Sequence, residues 1–425
     1  MRVVIINKSD SQGGAAVASL RLMHALCANG VDAHLLVVDR RTSDPRVVSV
    51  ASPIADKAVF LAERAQIFLQ NGFSRENLFK VDTARFGRDL SSHPLVREAD
   101  VVILAWINQG TLSLRSINRI CTLGKPVVWV MHDMWNCTGL CHHAYDCRRY
   151  KDKCGTCRYL RSRRRRDLSR FTLLRKKALY EAHRNLSFVA VSNWLAFRCR
   201  ESYLMENARM DIIPNAFPVD DFLCDRLPDD AWNVQPGSKV LVMGAARLDD
   251  PVKGFDLLLK VTKHIAEHKP ALASRLHLLL YGAIRNEALL REIAIPYTFI
   301  GQVNGIEAIN SIYRHADVVL STSRYESLGY TLIEGQASGC VPVTFGNGGQ
   351  PDIVDHLRTG FIADYLSPES FAEGIEWAID APIARNDLHE EVRGRFSANN
   401  VAQAFIDLFT RITRQEPPAP AKLQL

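Results

Sequence analysis

Ten short runs of uninterrupted apolar residues, each followed by a stretch of helical character, constrain this chain more than any other feature. In the first half they are RVVII (2–6), AHLLVV (33–38), VVILA (101–105), PVVWVM (126–131) and SFVAV (187–191). In the second half they are KVLVMGA (239–245), LHLLLYG (276–282), YTFIG (297–301), DVVLS (317–321) and CVPVT (340–344). A strand with one wet face alternates apolar and polar residues. A strand apolar throughout is covered on both faces, as in a parallel sheet flanked by helices. Two such series of similar length predict an α/β protein of two doubly wound, Rossmann-like domains, and 425 residues are enough for both cores. Between them lies "IPNAFPVDDFLCDRLPDDAWNVQPGSK" (213–239), rich in Pro and Asp and without periodicity. The expected domains are therefore 1–217 and 218–398. A packing helix is expected at 399–415, where "NNVAQAFIDLFTRIT" has helical spacing, and a disordered tail at 416–425.

With 47% hydrophobic and 23% charged residues the balance is that of a globular protein, not of a disordered chain. No apolar run reaches the ~18 residues of a membrane-spanning helix. "MRVVIINKSD" enters a strand directly, without the features of a signal peptide, so the cytoplasm is expected. The net charge of +7 is uneven: Arg158 to Lys177 holds ten Lys/Arg against one Asp, leaving the rest slightly acidic. One basic segment, not a basic protein, needs an explanation.

Open parallel sheets bind ligands beyond the carboxyl ends of their strands, so chemistry is expected just after each run. After the first comes "NKSDSQGGAAVASLRLMHAL", where Gly13 and Gly14 open a helix whose bare amides suit an anion, or form a plain strand-to-helix turn. After PVVWVM comes His132-Asp133. The His suits a ligand hydrogen bond, or is a core His held by a backbone carbonyl. In "GAARLDDPVKGFDLLLKV", Arg247 and Lys253 share one loop, as cations for a diphosphate or as solvated surface charge. In "SRYESLGYTLIEGQASG", Glu326 precedes Gly329, and a helix is expected from about Gly329 or Tyr330. The amides from Ser327 to Thr331 suit a phosphate. Glu334 lies too far along to cap, amid Leu332, Ile333, Ala337 and Cys340, which read as buried. Helix-dipole and surface pairing account for Glu326 but poorly for Glu334. A carboxylate at Glu334 suits the cis-diol of a ribose.

Glu-x7-Glu, preceded by "RLDDPVKGFDLLL" and followed by "VPVTFGNGGQPDIV", resembles the retaining glycosyltransferases of family 4, which have the GT-B fold. "IPNAFPVDDF", "VAVSNWLA", "SQGG" and "HD" match that family's habits too, so the resemblance runs over nearly the whole chain. It implies two domains facing across a cleft and transfer of a sugar from a nucleotide-diphosphate donor to an acceptor hydroxyl, without a catalytic metal. It further implies that Arg247 and Lys253 hold the diphosphate and Glu334 the ribose. Gly329, Tyr330 and Thr331 would line the donor site. Glu326 and His132 would contact the donor sugar, and Gly13 and Gly14 would let backbone reach the phosphates. Where the family often has Gly after the first Glu, this chain has Ser327.

Two local features remain. "CTGLCHHAYDCRRYKDKCGTCRYL" (137–160) is an insert in which Cys141, Cys147, Cys154 and Cys157 are spaced C-x5-C-x6-C-x2-C. A structural zinc is the leading reading, with Cys137, His142 and His143 as spare ligands; free thiols or disulfides are the alternatives. "RSRRRRDLSRFTLLRKKALY" (161–180) places Leu168, Phe171, Leu174, Ala178 and Tyr180 on roughly one side of a basic helix. It suits an anionic membrane on the inner face of the plasma membrane or a lipid-diphosphate acceptor, or packs its apolar side inward. The expected enzyme thus extends a lipid-linked or surface polysaccharide. A GT-B nucleotide-sugar epimerase is a second reading. A zinc-containing nucleic-acid-binding protein is a third, which explains only 137–177; no nucleic-acid partner is expected.

Overall fold

The computed structural model describes residues 1–162, 164–228 and 232–414. The tail 416–425 lies outside them. The chain forms two compact units, Met1–Phe217 together with the segment from Ala398, and Pro218–Ser397.

All ten apolar runs became strands. The first unit holds β1 (Arg2–Ser9), β2 (Asp32–Asp39), β3 (Val47–Ser49), β4 (Val101–Leu104), β5 (Val127–Met131), β6 (Leu186–Ala190) and β7 (Met210–Ile212). They form one sheet in the order β3-β2-β1-β4-β5-β6-β7, with every pairing parallel. The second unit holds β8 (Lys239–Arg247), β9 (Leu276–Ala283), β10 (Tyr297–Gly301), β11 (Val318–Ser321), β12 (Val341–Phe345) and β13 (Phe361–Ala363). Their order is β10-β9-β8-β11-β12-β13, again all parallel. Both sheets follow the doubly wound order, in which the chain reverses direction across the sheet between its first and fourth strands. The reversal falls between β1 and β4 in one unit and between β8 and β11 in the other.

The central strands are apolar because helices cover both faces. Val101–Leu104 and Val318–Leu320 are at most 1% exposed. The last helix, Ala398–Arg414, buries Val401, Ala402, Phe405, Leu408 and Phe409 and belongs with the first unit. No helix among the described residues is long and apolar enough to cross a membrane.

The basic helix departs from expectation. Helix Leu168–Ala182 buries Ser169, Thr172, Leu173, Lys176 and Leu179, while Phe171 and Leu174 stay exposed. Its inner face is set by a lysine. Lys176 is 0% exposed, and its ammonium donates to the carbonyls of Trp135 (2.6 Å) and Thr138 (3.2 Å). It also lies 3.2 Å from the centre of the Trp135 ring. Burial pushes its pKa down to about 7. A lysine read as part of a solvated basic face is thus a core residue whose partners are carbonyls remote in sequence.

Candidate functional site

In the second unit, the predicted residues gather at the β8–β11 switch point. Arg247 ends β8. Its Nη2 lies 3.0 Å from Asp250 Oδ2 and its Nε 3.4 Å from Asp249 Oδ1, so the loop folds its own acids onto the cation. Lys253 follows, and its Nζ lies 2.7 Å from Glu326 Oε1. Glu326 raises the lysine's pKa against the effect of burial, and Asp250 and Glu334 add to the rise. Lys253 is therefore fully charged at neutral pH.

This pair is held from both sides. Gly254 has φ 68°, and a Cβ there would sit 2.1 Å from the Thr322 carbonyl oxygen, so only glycine lets the chain turn into helix Phe255–His268 so close to the end of β11. The Thr322 hydroxyl donates to the carbonyls of Lys253 (3.1 Å) and Gly254 (2.9 Å). On the other side, the loop after β12 presses on Glu326. The Gly349 amide donates to its carbonyl at 2.8 Å, and a Cβ on Gly348 would lie 2.5 Å from the same oxygen.

Helix Tyr330–Ala337 begins at Gly329 with φ 114°, with no side-chain cap and no acid in its first turn. Its leading amides, including those of Tyr330 and Thr331, are available to an anion. Leu332, Ile333, Ala337 and Cys340 are each 0% exposed, while Glu334 between them is half-buried. The Tyr313 hydroxyl lies 3.3 Å from Glu334 Oε2 and 2.8 Å from the Tyr281 hydroxyl. A carboxylate on a buried face, oriented by two tyrosines, is not a surface-pairing residue.

The first unit carries different chemistry. Gly13, at φ 88°, precedes helix Gly14–Ala28, which also lacks a side-chain cap and an acid in its first turn. A Cβ added at Gly13 or Gly14 would meet nothing within 4 Å. His132, after β5, has no protein hydrogen-bond partner among the described residues, so it is not the carbonyl-held core histidine that the sequence allows. Burial pushes its pKa down to about 4, against the pull of Asp133, and it is neutral at pH 7. Asp133 is engaged: Trp106 Nε1 donates to it at 3.0 Å and His142 Nδ1 lies 2.8 Å away. Burial pushes Asp133 up, but His142 and neighbouring donors outweigh it and hold the carboxyl far below its usual range. His142, lowered by burial, is raised more by Asp133. It is thus the partner of Asp133 rather than a spare metal ligand.

Among the described residues every cysteine is a free thiol. Cys141, Cys147, Cys154 and Cys157 line one cavity of about 20 Å³. The backbone amides of Gly139 and Tyr159 pull the Cys154 and Cys157 thiols down, against burial. Burial raises these two thiols to about 12 and about 11. As placed, no group of three or more His, Cys, Asp or Glu side chains among the described residues is arranged to hold a metal ion. Shared lining of one cavity is a weaker condition than coordinating geometry, and the thiols meet only the weaker one.

The structure therefore sets two ion pairs side by side, Arg247–Asp250 and Lys253–Glu326, with Asp250 and Glu334 within electrostatic reach of Lys253. The sequence reading missed Asp249, Asp250, Tyr281, Tyr313 and the clamping role of Gly348 and Gly349. The adjacent acids of "RLDDPVK" signalled counter-ions; nothing local marked the two tyrosines, which come from other elements.

Family models for "Glycosyltransferase Family 4" and "Glycosyl transferases group 1" match residues 12–221 and 230–395. A D-inositol 3-phosphate glycosyltransferase from Saccharomonospora viridis is 29% identical over 188 residues, 41% of this chain and 43% of the relative. One from Corynebacterium urealyticum is 23% identical over 337 residues, 75% of this chain and 77% of the relative. The first-named match thus spans less than half of that relative's length. Anabaena HepE, solved in complex with UDP and glucose, superposes with a TM-score of 0.62 at 15% identity, covering 96% of this chain and 99% of that one. The two family matches and the fold together place the chain among the GT-B proteins. The chain belongs to glycosyltransferase family 4, its second unit being the group 1 domain.

Proposed function

We propose that the protein transfers a sugar from a nucleoside-diphosphate donor to a hydroxyl of a glycan or lipid-linked acceptor, with retention at the anomeric carbon, in cell-surface polysaccharide synthesis. The observation that carries this is the clamped Lys253–Glu326 pair at the β8–β11 switch point, with Glu334 on the helix that follows. Lys253 and Arg247 are charged and already placed by carboxylates, so a diphosphate exchanges one set of anionic partners for another without reorganising the loop. In the transfer, the bond from the anomeric carbon to the phosphate oxygen breaks, the acceptor oxygen bonds to that carbon, and the acceptor proton leaves with the diphosphate. Fixed cations and helix amides stabilise the charge growing on the leaving group. Glu334, oriented by Tyr313, accepts the ribose hydroxyls. Glu326, held against Lys253, faces the donor sugar. Neutral His132 offers one donor and one acceptor nitrogen to a sugar hydroxyl, and Gly13 and Gly14 leave room for a phosphate. The UDP and glucose bound by HepE support a nucleotide-sugar donor.

The four thiols of the insert are proposed as a structural zinc site, supported by their common cavity. Such a site would order the insert and take no part in transfer.

The test is transfer from UDP-, GDP- or ADP-sugars to a simple alkyl-glycoside acceptor, with the product's anomeric configuration read by NMR. A product with the donor's configuration supports the proposal; an inverted product overturns retention.

A further inference from the structure

Helix Pro53–Gln70 is inside out. Its buried residues are Glu63, Arg64 and Ile67, with Glu63 0% and Arg64 7% exposed. Arg64 Nη2 sits 3.3 Å from Glu63 and 3.4 Å from Asp82, and burial beside Asp82 pushes the Glu63 carboxyl up to about 8. Ile67 packs with Val81, Leu140, Tyr159 and Leu160, seating the helix on the Cys-rich insert. The outer face carries Ile54 (87% exposed), Leu61 (52%) and Leu69 (57%), and Phe73 (70%) and Phe79 (63%) follow. Ala58 and Ala65, also exposed, complete a stripe at helical spacing. A helix that buries polar side chains and presents large apolar ones is not built to face water alone.

The surroundings are basic. Lys57, Arg75 and Lys80 are exposed, with Glu76 the acid among them. The Arg161 amide donates to Asn71 Oδ1 at 2.7 Å, and its side chain passes beside Gly72. The exposed Arg164, Arg165 and Arg166 follow. None of these cations forms an ion pair among the described residues.

We propose that this face, Ile54 to Phe79 with its basic rim, docks on an anionic lipid bilayer, the helix lying in the plane of the interface. An apolar stripe entering the headgroup boundary and unpaired cations beside it are complementary to such a surface. This moves the membrane contact from helix Leu168–Ala182 to Pro53–Gln70, and it stands whether or not the transfer reaction does.

The test is flotation of the full chain with phosphatidylcholine vesicles, with and without phosphatidylglycerol, at low and physiological salt. The wild type should float with the anionic vesicles only, less so at higher salt. Leu61→Gln/Leu69→Gln should lose at least about tenfold in partitioning, since both leucines leave the apolar stripe. Arg75→Glu/Arg161→Glu should remove the preference for anionic lipid. Circular dichroism and nucleotide binding verify that the variants are folded. Equal flotation with both vesicle types, no flotation, or a leucine variant that floats like wild type overturns the proposal. So does a wild-type dimer that the leucine variant converts to monomer, because the stripe is then an interface between copies.

Discussion

The two units share a strand order but not a chemistry. At the switch point of the second, the loops after β8 and β11 carry two ion pairs, Arg247–Asp250 and Lys253–Glu326. In the first, the turn after β1 offers two glycines, and the loop after β5 a histidine that burial keeps neutral. The sheet decides where a ligand can bind; the loops decide what chemistry it meets. Paired, pre-placed charge suits a diphosphate, a neutral histidine suits sugar hydroxyls, and open backbone at a helix start suits an anion.

The largest expected effect tests the charged side. Lys253→Ala removes the cation and leaves Glu326 unpaired, and should lower kcat/KM by roughly 10²–10³-fold, the usual cost of losing one preorganised charge-stabilising donor. A loss under about fivefold would mean the pair is structural. His132→Ala should cost roughly 10-fold or more in kcat, consistent with one positioned hydrogen bond. Because burial holds His132 near 4, the acid limb of the wild-type pH profile above about pH 5 should persist in His132→Gln; its disappearance would show that His132 titrates there.

The insert supplies the contrast in stability. Lys176→Ala leaves the carbonyls of Trp135 and Thr138 without their buried donor, and should cost roughly 1–3 kcal/mol by urea unfolding, with nucleotide binding unchanged. Since the folded pKa lies below that of a free lysine, the unfolded chain holds the extra proton between about pH 7 and about 10.4. Wild-type stability should therefore gain a rising component over that window, absent in Lys176→Met. The smallest expected effect on activity is that of metal. Elemental analysis should find one zinc per chain, and its removal should loosen 137–160 while leaving donor affinity within about twofold. A chain isolated without zinc, with the insert equally protected, would confine the cysteines to packing.

What the sequence revealed follows the range of the interactions. The strands were readable because burial on both faces is written into each run by itself; β3, β7 and β13 were missed because three-residue edge strands carry no periodicity. Glu334 stood out because its buried neighbours lie on the same short helix. Lys176 was misplaced because its partners are carbonyls 38 and 41 residues away, and the apolar face of helix Pro53–Gln70 went unnoticed because an inverted helix has the same pattern as an ordinary one. The clamp on Lys253–Glu326 needed Gly254, Thr322 and Gly348 to come together from three loops, which no spacing rule contains.

The most direct measurement is calorimetric binding of UDP, GDP and ADP to the wild type and to Glu334→Ala. The account predicts that one nucleotide binds and that the variant loses at least about tenfold in affinity, as expected for charged hydrogen bonds to a ribose. A folded wild type that binds none of the three, or a variant that binds as tightly as wild type, would contradict the donor site assigned to the second unit.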